Sequence, residues 1–340
     1  MTTLIGITSR HAVVMGCDSL GTSTKYMVDP NDLVGYFDPA NNWAIRSQVD
    51  GKPVLSDIYK IMAVSQEIPY KQLLHVNKLF HLKPLPVGAM FTGITSIGQR
   101  SIRSLIEEFI DNDPSTTPQA ALHGPYKVGD IAQRLLDFLR GKYEVEFKPP
   151  PLPQPGLELL IGGYDSGEHL PTMWRVDVRQ KEIKNDFPTG TFGASFAGQR
   201  DWIERIVFGS DHQNKLKLIE RSRSLMEEYR QRIQDDATKQ GLSFTVPNPK
   251  QYGDALDLFN GFDLNQLTGD WAELTEQNAI DTVDFFVDIM IKSQRVTATV
   301  PTVGGQIHVA VIRRDGFYLV SEEVWKHGEN VVDVPEVRNG

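Results

Sequence analysis

Few side chains in this 340-residue sequence sit where chemistry is easily built. The single cysteine, Cys17, lies inside the apolar run 12–17 and reads as a small core residue rather than a nucleophile. The eight histidines show no HxxxH spacing and no second cysteine accompanies them, so neither a metal site nor a cofactor is expected. What remains is a hydroxyl at the start, Thr2 in Met1-Thr2-Thr3; an acid, Asp18 in Gly16-Cys17-Asp18-Ser19; and a lysine, Lys60, ahead of Ile61-Met62-Ala63-Val64. A threonine hydroxyl is a weak nucleophile that needs an adjacent base. At a chain terminus the residue's own α-amine is within reach, and its ordinary pKa of about 7.7–8.0 leaves a useful fraction unprotonated near neutral pH. Each residue also has an ordinary reading: a strand residue, a turn residue and a surface lysine.

The elements that must position these groups are legible in outline. Residues 4–7 and 12–17, split by polar Thr8-Ser9-Arg10-His11, read as a β-hairpin whose second strand is buried on both faces. Residues 20–56 repeat Gly, Pro, Asn and Asp and are expected to be a long excursion with little regular structure. Strands are expected at 60–64 and 88–93. A helix then starts near Ser96 with Ile102, Leu105, Ile106 and Phe109 inward, and a second covers about 128–140. The Pro-rich run 149–155 is a stiff connector. A second block of strands follows at 157–164, 172–178 and 191–196, then a largely helical stretch over 199–293. A last hairpin, 306–313 and 317–320, turns at Asp315-Gly316.

This order does not alternate strand and helix as a doubly wound parallel sheet does. Two antiparallel sheets facing each other, each with helices outside, fit it better. The composition, 40% hydrophobic and 23% charged, is that of a chain with a sizeable core. A net charge of −9 without a dense basic run argues against nucleic acid as partner. No apolar stretch approaches membrane-helix length, and the first residues enter a strand pattern directly instead of a signal peptide. A lone cysteine and no leader lead to the expectation of a cytoplasmic protein.

Read together, these residues resemble the catalytic β-type subunits of proteasomes and the HslV-type peptidases, which are N-terminal-nucleophile (Ntn) hydrolases. The Thr-Thr start, the apolar hairpin and the spacing from Thr2 to Asp18 match, and that spacing prefers Thr2 over Thr3. Lys60-Ile61 fits the lysine opening the next strand. Gly88 to Gly93 fits the strand before the helix, with Thr92 in place of the first glycine of a pair. Leu160-Ile161-Gly162-Gly163-Tyr164-Asp165 and Gly304-Gly305 with the last hairpin complete the set. The resemblance implies an α+β fold, a four-layer αββα sandwich with large insertions, as one domain over 2–340. The insertions are expected at about 20–56, 111–156 and 210–270.

The resemblance also implies roles. Thr2, freed by removal of Met1, is the nucleophile; Lys60 favours its alkoxide; Asp18 pairs with Lys60; the N–H of Thr92 or Gly93 meets the oxyanion. The support is altered, however. Where the family has an Asp and a Ser before the final Gly-Gly, Val300 and Val303 stand here, with Thr299 or Thr302 offering a hydroxyl. Where it has a Ser between glycines, Ala197 stands, and Ser195 reaches that place only by a shift. The expected function is a threonine-type peptidase on polypeptide or peptide substrates, in a homo-oligomeric ring with an unfoldase ATPase as a further partner. The alternatives are a small-amide Ntn hydrolase and a non-catalytic assembly subunit of proteasome α type.

Overall fold

β-Branched and aliphatic residues dominate β1 (Thr3–Thr8) and β2 (Val13–Asp18), and every residue of both strands is buried. Strands this apolar must be covered on both faces and flanked on both edges. A computed structural model of the chain shows how that is achieved. It describes residues 2–28, 46–49, 52–55, 65–73, 75–112, 125–148, 155–208, 212–242, 270–297 and 301–320. The chain divides into two compact units, Met1–Gln199 with Trp271–Gly340, and Arg200–Asp270.

The first unit holds two five-stranded antiparallel sheets. In one, β1 and β2 lie between β14 (Gly193–Gly198) on one side and β15 (Ile307–Arg313) with β16 (Gly316–Val320) on the other, in the order β14-β1-β2-β15-β16. The other runs β13 (Glu182–Phe187), β12 (Thr172–Asp177), β11 (Leu157–Gly163), β8 (Val87–Gly93), β7 (Leu79–His81). The period-2 alternation of strands serves two cores at once. Leu160 of β11 joins Leu4, Met15, Met90, Met173 and Ala310 between the sheets. Its neighbours Leu157, Leu159 and Ile161 face outward, into a core with Leu105 and Ile106 of α1 (Ile102–Asn112) and Ile131 and Leu135 of α2 (Val128–Glu146).

The outer face of the first sheet is covered by α5 (Glu276–Thr297), whose buried stripe Ile280, Val283, Val287 and Ile291 follows the helical period. Gly16 lets this helix come close: a Cβ there would lie 2.2 Å from Val283 Cγ1. The fold is therefore α+β, four layers in the order helix, sheet, sheet, helix. The described residues of the second unit are mainly helical, in α3 (Asp201–Phe208) and α4 (His212–Lys239). Leu218, Leu225 and Tyr229 of α4 are exposed, among a surface of ion pairs such as Lys239–Asp236. No helix among the described residues is long and apolar enough to cross a membrane.

Three details differ from the sequence reading. Residues 20–56 are not without regular structure: β3 (Gly21–Val28) pairs with β6 (Ser65–Leu73), and β4 (Arg46–Val49) forms a hairpin with β5 (Lys52–Leu55). The Thr, Tyr and Val content of β3 suits a strand, and the Asp-Pro that follows masks the signal. The expected strand at 60–64 lies outside the described residues. The helix starts at Ile102, after a small hairpin of β9 (Ser96–Ile97) and β10 (Arg100–Ser101). Finally, β14 does not continue the second sheet; it crosses to the open edge of β1, and β13, too polar to read as a strand, takes the edge beside β12.

Candidate active site around Thr2

The β1–β2 hairpin brings the two ends of its sequence together. Leu4 pairs with Cys17, so Asp18 ends β2 beside the start of β1, and its Oδ1 accepts the Thr3 backbone N–H at 3.0 Å. The same carboxylate gathers three more donors. Oδ2 accepts the backbone N–H groups of Leu20 and Gly304, each at 3.1 Å. Lys78 Nζ donates to Oδ1 at 3.2 Å and to the Leu20 carbonyl at 2.6 Å. Both side chains are sealed from solvent, Lys78 1% and Asp18 0% exposed. Burial pushes the Asp18 carboxyl above its ordinary value, against the downward pull of Lys78 and of the Gly304 and Thr3 N–H groups. Every one of these neighbours is a donor, so the carboxylate is the form that satisfies them.

Among the described residues the lysine beside Asp18 is thus Lys78; Lys60, expected there, lies outside the described residues. Lys78 stands directly before β7, which is joined to β8 by a short turn: the Leu82 N–H bonds to Val87 O and the Leu85 N–H to Leu82 O. The Lys78 carbonyl accepts the Phe91 N–H, holding the lysine against β8. The usable signal was adjacency: a lysine opening a strand that pairs with β8 belongs just before that turn. Lys78-Leu79-Phe80 offers only a three-residue strand, and Lys60 heads a longer apolar run.

Thr2 is 4% exposed and is held through its main chain. Its carbonyl accepts the Gln199 N–H at 2.8 Å, and the Thr92 hydroxyl lies 3.5 Å from the same oxygen. The Thr3 hydroxyl donates to the Gln199 carbonyl at 2.8 Å. Thr92 and Gly93 therefore end β8 next to Thr2, and Gly93 has φ +107°. Gly198, paired with Thr3, has φ +72°, and a Cβ on it would stand 2.0 Å from the Thr2 carbonyl oxygen. Only glycine passes the chain from β14 around residue 2 here.

The two supporting hydroxyls separate. Thr302 belongs to this end of β1: its hydroxyl lies 2.9 Å from Gln199 Oε1, and its N–H donates to Gln294 Oε1 at 3.1 Å. Ser195 does not. It pairs with Gly6, well along β1, and its hydroxyl donates to Asp186 Oδ2 at 2.6 Å while receiving Arg175 Nη2 at 2.9 Å. Burial works on Asp186 in the upward direction, but the Ser195 hydroxyl and the Arg175 guanidinium outweigh it and hold the carboxyl below its ordinary value. Ser195 is a strut of the sheet pair, and Ala197, partner of Leu4, is buried between the sheets. Val303 is buried too, whereas Thr299 and Val300 lie outside the described residues.

Cys17 and His308 flank the ion pair. Burial lifts the Cys17 thiol to about 12, which keeps it protonated and unreactive. Burial, and then the Lys78 ammonium, depress the His308 imidazole below its ordinary value. Among the described residues no group of His, Cys, Asp or Glu is arranged to hold a metal ion. Gln199 and Gln294 were missed from sequence, since a glutamine carries no spacing signal.

No family model matches the chain, and no curated protein does. Among solved structures it is similar to a Gly-1 mutant of Anbu from Hyphomicrobium sp. strain MC1, at 12% sequence identity and a TM-score of 0.45, covering 94% of this chain and 85% of that one. The strand order and layers described above are what define the fold.

Proposed function

We propose that this chain is an N-terminal-nucleophile amide hydrolase of the threonine type, with Thr2 as nucleophile once the residue preceding it is removed. The buried Lys78–Asp18 pair carries this reading: Asp18 is bonded to the N–H of Thr3, so a sealed ammonium is fastened at the start of β1. A buried ion pair contributes little to stability by itself, and a fold gains little by retaining one without a use for the charge. Next to a threonine hydroxyl, an ammonium favours the alkoxide and disfavours protonation of the α-amine.

In the proposed reaction the α-amine takes the hydroxyl proton as the oxygen attacks the substrate carbonyl. The end of β8, at Thr92 and Gly93, meets the oxyanion. The intermediate collapses to an acyl-threonine ester and a leaving amine, which receives the proton; water then hydrolyses the ester. The substrate class is a peptide or polypeptide, and a homo-oligomeric ring is the assembly this reading entails.

A β-lactone probe tests it. Wild type is expected to carry the adduct on the Thr2 peptide, with Met1 absent by intact mass. The adduct is expected to vanish in Thr2→Ala and in Lys78→Ala and to persist in Lys60→Ala. Full retention of Met1, or labelling of Thr2 unaffected by Lys78→Ala, would refute the assignment. Native mass spectrometry checks the ring: a monomer would sink that part.

A further inference from the structure

Ser19 follows Asp18 at the end of β2 and is fully buried. It accepts a hydrogen bond at each of its two oxygens. Its carbonyl takes the Val76 N–H at 2.8 Å, in the lead-in to β7. Its hydroxyl oxygen takes the Gln306 N–H at 2.7 Å, in the lead-in to β15. Just beyond Val76, Lys78 donates from its ammonium to Asp18 Oδ1; just before Gln306, Gly304 donates its N–H to Asp18 Oδ2. The Gly304 carbonyl also accepts the Leu20 N–H at 2.9 Å. The fit around the serine is tight. Gly305 turns past it with φ +82°, and a Cβ there would lie 2.5 Å from Ser19 Oγ.

The donors that meet on Asp18 come from far along the chain: Lys78 is 60 residues away and Gly304 is 286. Segments so distant hold one register only where a contact fixes their spacing, and a misplacement of about 1 Å can slow a reaction ~100-fold. Ser19 ties both segments to the residue that adjoins the acid. We infer that Ser19 is a positioning residue: it sets the two lead-in segments against the end of β2, so that the Lys78 ammonium and the Gly304 N–H converge on one carboxylate. It acts through Asp18 and does not touch substrate. Its bearing on the reaction rests on Thr2 being the nucleophile; its bearing on the ion pair does not.

Two measurements on the full chain test it. The first is a double-variant cycle in urea, with unfolding followed by tryptophan fluorescence. Lys78→Met is expected to shift the unfolding equilibrium constant roughly tenfold less in the Ser19→Ala background than in the wild-type chain, because the ion pair it deletes is already loosened. Ser195 pairs with Gly6, well along β1, so in the Ser195→Ala background the shift is expected to equal that of wild type. The second is the rate of β-lactone labelling at Thr2 against probe concentration. Ser19→Ala is expected to lower the maximal rate roughly tenfold and leave the half-saturating concentration unchanged, whereas Ser195→Ala keeps the wild-type value of both. Circular dichroism identifies a Ser19→Ala chain that fails to fold; Gly305→Ala, which presses on the same hydroxyl, then carries both measurements with the same expectations. Additive Ser19 and Lys78 losses overturn the inference, as does a wild-type maximal rate in folded Ser19→Ala or a defect confined to half-saturation. A coupled cycle in a chain whose Thr2 is never labelled supports the positioning role and refutes the nucleophile assignment, a distinct result.

Discussion

Replacing Lys78 by methionine keeps the volume of a fully buried side chain and deletes its charge. Asp18 then keeps three backbone N–H donors, from Thr3, Leu20 and Gly304, but loses its counter-ion, and the Leu20 carbonyl loses a donor 2.6 Å away. Removing one partner of a buried pair costs roughly 3–5 kcal/mol. The surviving N–H bonds argue for the low end and the orphaned carbonyl adds to it, so the expected loss is about 4 kcal/mol. Urea unfolding followed by tryptophan fluorescence measures it. The double variant Asp18→Asn with Lys78→Met is expected to be more stable than the sum of the single losses, with a coupling of about 2 kcal/mol. With Lys78 gone, Asp18 protonates more readily, so the Lys78→Met penalty should shrink as pH falls through the carboxylate range. A loss under about 1 kcal/mol, or additive single variants, would refute the description of this pair as one buried unit.

Three further expectations follow from single contacts. Gly198→Ala forces a left-handed backbone on a residue with a Cβ against the Thr2 carbonyl; a loss above about 2 kcal/mol and loss of Thr2 labelling are expected, and wild-type behaviour in either would contradict the geometry. Ser195→Ala removes a hydrogen bond to Asp186 and should cost about 1–2 kcal/mol in urea while leaving Thr2 labelling intact; slowed labelling would return Ser195 to the site. His308 has a depressed folded value, so it stays neutral in the fold while the unfolded chain protonates near 6.5. Its contribution is present above about 6.5 and is lost as pH falls through the folded value; His308→Gln should flatten that part of the stability–pH curve, and an unchanged slope would count against it.

The neighbourhood of Thr2 was readable where it depended on a single hairpin. Two strands of similar length fold back so that Thr2 and Asp18 must meet, and the spacing expresses that geometry directly. The four-layer arrangement was readable from the order of elements, strands then helices then strands again, which does not alternate as in a doubly wound parallel sheet. The lysine was not, because Lys60 and Lys78 both open apolar runs, and what separates them is which strand pairs with β8. The sheet of β14 escaped for the same reason: pairing partners are long-range choices, and nothing local to residues 193–198 says whether their neighbour is β12 or β1. Edge strand β13 was lost through its polarity, since Glu-Ile-Lys-Asn-Asp-Phe needs burial on one side only. The glutamines were invisible because amides acquire meaning only through the partners that three separate segments bring to them.

The Asp18 carboxylate receives the N–H of Gly304, 286 residues further along the chain, and β2 is walled on one side by β15. A ribosome delivers those two segments 286 residues apart. The hairpin that carries Thr2 can form early, yet its acid stays under-coordinated and its sheet open until the final strands are made. Contacts of such sequence separation form late and slowly. Assembly of the site around Thr2 is thereby tied to synthesis of β15: a chain cut before that strand would hold Thr2 and Lys78 without the clamp at Gly304 that aligns them.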